Sequence, residues 1–225
     1  MRPIDKGPPP RVYVRYGDAL PDLWERLGRF CSYCGRHVPS GLSVEHKRPK
    51  TRYPAEELSW QNFLLSCDNC NSCKGHPKVR LDRYIWPDSD NTLRAFVYTV
   101  GGRVHASKTI SKHLRRKANR TLRLLGLDKY PGYHHEPTDR DFRWSDRRLE
   151  WEKAELAKCL LAEYDTPHQR ELIVKNAATG IFPIWWTVFS GDNDMKRRFR
   201  DGFPGTCSNC FDANENLLAR PGGQL

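Results

Sequence analysis

Four cysteines come in two CxxC pairs, Cys31-Ser-Tyr-Cys34 and Cys67-Asp-Asn-Cys70. Four thiolates so paired complete one tetrahedral Zn²⁺ shell, and a closed shell leaves no position for a substrate, so the site they imply is structural. A bare zinc ribbon has ~15–20 residues between its pairs. Here 32 residues separate Cys34 from Cys67, and a loop of that length has content of its own. Cys73 and His37 are alternative ligands; Cys67, Cys70 and Cys73 echo part of an iron–sulfur run, but no Cys-Pro follows them.

Inside the loop stands Glu45-His46, and Asn71 follows in the second knuckle. An imidazole titrates near neutrality, so His46 can serve as a general base. Glu45 is a hard oxygen ligand for a divalent cation, and Asn71 offers an amide oxygen to the same ion; His76 could replace it. This donor set favours Mg²⁺ or Mn²⁺ over Ni²⁺ or Zn²⁺. Hydrolysis of a phosphodiester needs these parts: a base for the water, a cation for the developing charge, and in-line geometry. Neighbours on a regular strand point to opposite faces. Glu45 and His46 can therefore share a metal pocket only where the backbone is irregular, as Pro49 would make it.

The order of these parts resembles a known family. CxxC, then Glu45-His46, then Asn62-Phe-Leu-Leu, then CxxC-Asn71-xx-Lys74 is similar to the zinc-stapled HNH endonucleases of the ββα-metal superfamily, over roughly residues 30–76. The resemblance implies a ββα-metal core and DNA phosphodiester hydrolysis. It also implies that Asn62 orients the His46 loop through backbone hydrogen bonds. Many relatives have Asp or His at the place of Glu45 and His at the place of Asn71.

Cations crowd the same segments. Lys47, Arg48, Lys50 and Arg52 follow His46, and Lys74, Lys78 and Arg80 follow the second knuckle. Brought together by the metal, they would ring one pocket as a phosphate-binding surface. Arg115 and Arg116 lie on a later segment with one wholly cationic face. From Asn91 to Leu127 there are nine basic residues and no acidic one.

The elements that must hold these groups read as α+β. A helix is expected over Asp18–Phe30, short strands and a short helix over 31–80, and a hairpin over Leu93–His105 turning at Gly101-Gly102. Helices follow at Ser111–Leu125, Thr138–Tyr164 (one long helix or two), Pro167–Ala178, Ile184–Phe189 and Asp194–Arg200. The expected division is a nuclease domain at 1–106 with the N-terminal helix and hairpin, then a mainly helical domain at 107–225. Charge divides the chain near there. Residues 1–127 hold 24 basic and 11 acidic residues, a net of +13; residues 128–225 hold 14 and 16, a net of −2. The front should meet a polyanion and the rear should dock a partner.

The 225 residues suffice for a real core, and the longest apolar run, Ile181 to Phe189, is too short to span a bilayer. The basic, Pro-rich start has no apolar signal core, so a cytoplasmic protein is expected. Trp144, Leu149, Trp151, Leu156, Leu160, Leu161 and Tyr164 should line a long helix, most of them as core, and one of the adjacent Trp185 and Trp186 should face outward as a docking anchor. Cys207 and Cys210 form a further CxxC, expected as structural thiols. Glu45-His46-Lys-Arg-Pro-Lys50, Asp82-Arg-Tyr-Ile-Trp-Pro-Asp88, the Gly101-Gly102 hairpin and the terminal Phe203-Pro-Gly-Thr-Cys-Ser-Asn-Cys-Phe-Asp212 resemble HNH subunits of Septu and retron-type anti-phage systems. That resemblance implies a defence effector with an ATPase partner. The rival reading is a non-catalytic zinc-ribbon DNA-binding module or adaptor, in which Glu45 and His46 are incidental.

Overall fold

The computed structural model describes residues 1–225. Eight helices and two small sheets make a mixed α+β chain with a helical rear. Helix α1, Leu20–Leu27, buries Leu23 and Leu27 and ends at Gly28, whose φ of 70° suits glycine. It is shorter than the expected helix because Tyr16–Ala19 forms a 3₁₀ turn ahead of it and Gly28 stops it.

The front core is a ββα unit. Strands β1, Ser43–His46, and β2, Phe63–Ser66, pair antiparallel, with Glu45 opposite Leu64 and His46 opposite Phe63. Phe63, Leu64 and Leu65 are all fully buried, since protein covers both faces of β2. Helix α2, Asp68–Lys74, starts directly after Cys67 and closes on Gly75. The first knuckle is hung on the same sheet, with Ser32 N–H donating to the Leu65 carbonyl at 2.8 Å.

Helix α3, Thr92–Ala95, is a single turn capped by Asn91. It leads into strand β3, Phe96–Thr99, which pairs with β4, Arg103–Ala106, in the expected hairpin. Helix α4, Lys112–Leu125, matches expectation at both ends: the Ser111 side chain accepts from Leu114 N–H, and Gly126 closes it in the left-handed conformation. Its apolar face packs on β4 and on α2.

Helix α5, Arg143–Glu163, lies against the hairpin turn, and a Cβ at Gly102 would strike the Trp144 carbonyl. Glycine is required there by this close approach. Helices α6, Pro167–Ala177, α7, Phe182–Val188, and α8, Asn193–Gly202, complete the rear. One cluster of 47 buried hydrophobic residues runs from Met1 to Leu225, so the core crosses position 106 without a break.

One expectation about the rear fails and a second holds only in part. Trp185 and Trp186 are both buried, at 0% and 6% exposure. Helix α7 is covered on all sides: Trp185 stacks on Phe189 and packs on Phe199, while Trp186 packs on Phe182 and Phe211. Neither ring is free to anchor a partner. Of the apolar residues expected to line the long helix as core, Leu161 is buried and Trp144 and Trp151 are half-buried, but Leu149, Leu156, Leu160 and Tyr164 are exposed. The side of α5 that faces the core carries Arg143, Arg147, Ala154 and Leu161.

Candidate functional site

The Sγ atoms of Cys31, Cys34, Cys67 and Cys70 lie within 4.8 Å of one another, and all four residues are buried. A tetrahedral ion with ~2.3 Å metal–sulfur bonds requires sulfur–sulfur edges of ~3.8 Å. Cys34 and Cys67 stand 3.8 Å apart. The donor set therefore fits one closed metal centre. Cys73, His37, Cys207 and Cys210 lie outside it. Cys73 instead faces the Arg143 guanidinium at 3.3 Å, and His37 packs edge-on against Phe30. Cys207 and Cys210 are buried separately, next to the chain terminus segments.

Strand β1 ends at His46, and the chain bends through Lys47 and Arg48. Glu45 and His46 both lie within the regularly paired strand, so the irregularity expected there is absent; with Asn71 they nevertheless line one pocket of about 130 Å³, with Tyr16, Pro49, Lys50, Lys74 and His76 also on its walls. His46 is buried between the edges of Tyr16 and Phe63. Its Nε2 meets the Glu57 carbonyl at 2.8 Å. A carbonyl only accepts, so this contact assigns the proton to Nε2 and leaves the Nδ1 lone pair free. Burial pushes the imidazole pKa below its ordinary value, against the opposing pull of the Glu57 carbonyl. The neutral, proton-accepting form is thus favoured.

Asn62 is buried and braces this loop. Its Oδ1 accepts from Arg48 N–H at 2.8 Å, and its Nδ2 donates to the Arg48 carbonyl at 2.9 Å and the Glu56 carbonyl at 3.2 Å.

The cations divide into two classes, and two of the expected surface contacts are corrected. Lys74 is buried and its Nζ sits 2.6 Å from Glu45 Oε1. Lys47 is buried and pairs with Asp88 at 2.7 Å. Position on α2 turns Lys74 inward, and Asp88 draws Lys47 inward, so neither offers a charge to the surface. Arg48 pairs with Glu56 and covers the Tyr53 ring, and Lys50 pairs with Glu57 and sits 4.0 Å over the Tyr16 ring. Arg80 is exposed and pairs with Asp82. Arg52, Lys78 and Arg116 are exposed and have no ion-pair partner. Arg115 lines a second pocket of about 360 Å³ with Lys108 and Arg123.

Several residues of the site carry no local signal in the sequence. Tyr16 reaches His46 across 30 positions, and Asp88, tied to both Lys6 and Lys47, holds the bend from 41 positions away. The Asp82-to-Asp88 segment was legible as a motif, but not as the anchor of the His46 loop.

The pocket thus sets a proton acceptor, a carboxylate and an amide around one small polar volume, beside a closed sulfur centre. These are the parts of metal-assisted hydrolysis. No helix is long and apolar enough to cross a membrane. No curated protein matches the chain. Residues 31–77, which contain both knuckles, the ββα unit and the pocket residues Glu45, His46 and Asn71, match the family model of the HNH endonucleases.

Proposed function

We propose that this protein is a metal-dependent endonuclease that hydrolyses DNA phosphodiester bonds, with His46 as general base. One observation supports the reading above the rest: Glu45, His46 and Asn71 converge on one pocket while the Glu57 carbonyl fixes the His46 tautomer. In this mechanism His46 Nδ1 takes a proton from the attacking water as its oxygen bonds to phosphorus. The bond to the leaving sugar oxygen breaks in line, and that oxygen collects a proton from solvent. Asn62 keeps the His46 loop in register. Glu45 and Asn71 would hold Mg²⁺ or Mn²⁺, which supplies Lewis-acid stabilisation of the charge developing on the phosphate. The Glu45 carboxylate already has Lys74 on Oε1, and its second oxygen remains for such a contact.

The sulfur centre is read as structural Zn²⁺, held by Cys31, Cys34, Cys67 and Cys70. DNA would run over the exposed cations Arg52, Lys78, Arg80 and Arg116 and the half-buried Arg115. By the anti-phage resemblance, the protein is a defence effector in the cytoplasm with an ATPase partner. The exposed Leu149, Leu156, Leu160 and Tyr164 on the rear helices are what supports a protein partner. The test of the nuclease reading is nicking of supercoiled plasmid with Mg²⁺ or Mn²⁺, against an EDTA control. DNA binding without metal-dependent nicking would favour the non-catalytic zinc-ribbon module.

A further inference from the structure

We propose that the four-cysteine centre is the counter-charge for buried arginines of the helical half, so that metal loading clamps α5 onto the ββα core. The inference rests on the zinc reading above.

Arg143, in the first turn of α5, is almost fully buried. Its Nη1 donates to Cys70 Sγ at 3.1 Å and to the Leu125 carbonyl at 2.7 Å. Its Nη2 donates to Cys73 Sγ at 3.3 Å and to the Gly126 carbonyl at 3.2 Å. Asp141 takes Nε and Nη2 at 2.7 and 2.6 Å. One guanidinium thereby joins the second knuckle, the end of α4 and the start of α5. Arg36, just after the first knuckle, works from the other side. Its Nη2 donates to Cys67 Sγ at 3.6 Å and to Asn69 Oδ1 at 3.2 Å, while Nη1 pairs with Asp146 of α5.

Arg147 makes the charge count uneven. It is buried one turn beyond Arg143, with Nε on the Gly102 carbonyl at 2.7 Å and Nη2 on the Leu127 carbonyl at 3.2 Å. Its Nη1 is buried without a hydrogen-bond partner, and it has no carboxylate in ion-pair contact. Three guanidinium charges therefore face two carboxylates, Asp141 and Asp146. A buried cation left uncompensated is strongly unfavourable.

The sulfurs supply the missing charge only when loaded. Four thiols are neutral. Zn²⁺ binding releases their four protons to solvent and leaves a centre of formal charge −2. An N–H bond to a thiolate is charge-assisted and stronger than one to a thiol. The metal and the arginines therefore stabilise one another, and Arg143 and Arg36 act as positioning residues for the sulfurs.

The test uses the full chain. Wild-type zinc content is measured first; absence of zinc there would defeat the zinc reading itself. Next, zinc transfer to a chromogenic chelator is compared for wild type, Arg143→Lys and Arg36→Met. Each variant should lose zinc affinity by ~10–100-fold, the range seen when groups behind metal ligands are removed. Arg36 is partly exposed, so its variant is expected to fold if Arg143→Lys does not. A merely structural role would not alter the metal's electronic spectrum. In Co²⁺-loaded protein, loss of N–H···S bonds should move the thiolate-to-metal charge-transfer band to longer wavelength while the tetrahedral d–d bands stay in place. Unchanged zinc affinity together with an unchanged Co²⁺ spectrum in Arg36→Met would overturn the proposal.

Discussion

Asn62 and Arg48 are joined by a two-way bridge, side-chain amide to main chain: Oδ1 accepts from Arg48 N–H at 2.8 Å and Nδ2 donates back to the Arg48 carbonyl at 2.9 Å. The bridge fixes the bend two residues beyond His46, where a strand side chain would otherwise be free to swing. Asn62→Ala would leave both Arg48 groups and the Glu56 carbonyl short of partners. Each lost buried partner costs about 1–3 kcal/mol. The melting temperature should fall, and plasmid nicking should drop by more than the unfolded fraction explains. A variant with wild-type melting and wild-type nicking would show that the bridge does not position His46.

Asp88 bears on the same bend through charge. It lies between Lys47 at 2.7 Å and Lys6 at 3.2 Å, and all three side chains are buried. Burial opposes its ionisation, but the two ammonium groups outweigh it and hold its carboxyl below the usual range. A carboxyl so lowered contributes stability above its unfolded value of ~3.9 and loses it as pH falls through the lower folded value. Asp88→Asn would strand two buried cations, at a cost of about 3–5 kcal/mol. Urea unfolding at neutral pH should show that loss, and the difference from wild type should shrink in strong acid. An unchanged urea midpoint at neutral pH would count against the pairing.

Trp186 provides a contrasting case. It is 6% exposed and packed on Phe182 and Phe211, so Trp186→Ala should destabilise the fold by about 3–5 kcal/mol. Thermal unfolding checks this. A variant as stable as wild type but defective only in association would restore the outward-facing role that the sequence alone led us to expect.

The sequence made the site legible where chemistry is local. Paired CxxC spacing marked the four-cysteine cluster, and the order of Glu45, His46 and Asn71 marked residues that meet at one pocket, because the ββα unit that joins them spans fewer than fifty residues. Helix α4 was legible to its caps, since Ser111 and Gly126 signal both ends locally. Burial was less legible. Lys47 and Lys74 look like surface cations until Asp88 and Glu45 are placed beside them. On α5 the apolar residues pointed to one face, yet the face that packs is set by Gly102 and by arginines bound to distant carbonyls and sulfurs. The Gly102 carbonyl lies 45 positions from Arg147 and the Cys70 sulfur 73 from Arg143, beyond the reach of periodicity.

Metal removal separates the two centres. On the zinc reading, Cys67→Ser removes one of four thiolates whose metal-binding energy would be folding energy. Elemental analysis should show loss of tightly bound zinc, with a lower melting temperature. A full equivalent of zinc in that variant would contradict the assignment of the four ligands. Brief exposure to a weak chelator should instead stop nicking and leave the zinc in place, with Mg²⁺ or Mn²⁺ restoring activity.

The central claim is that His46 is the base. Its Nε2 is committed to the Glu57 carbonyl, so the ring's one free lone pair, on Nδ1, is all it has to offer a water. The direct measurement is the single-turnover rate of plasmid nicking with Mg²⁺ or Mn²⁺ for His46→Ala against wild type, with folding and DNA affinity measured on the same samples. Removal of a general base lowers rates by ~10²–10⁴-fold. The account predicts a loss of that size with melting temperature and DNA affinity close to wild type; a variant that nicks at the wild-type rate would contradict it.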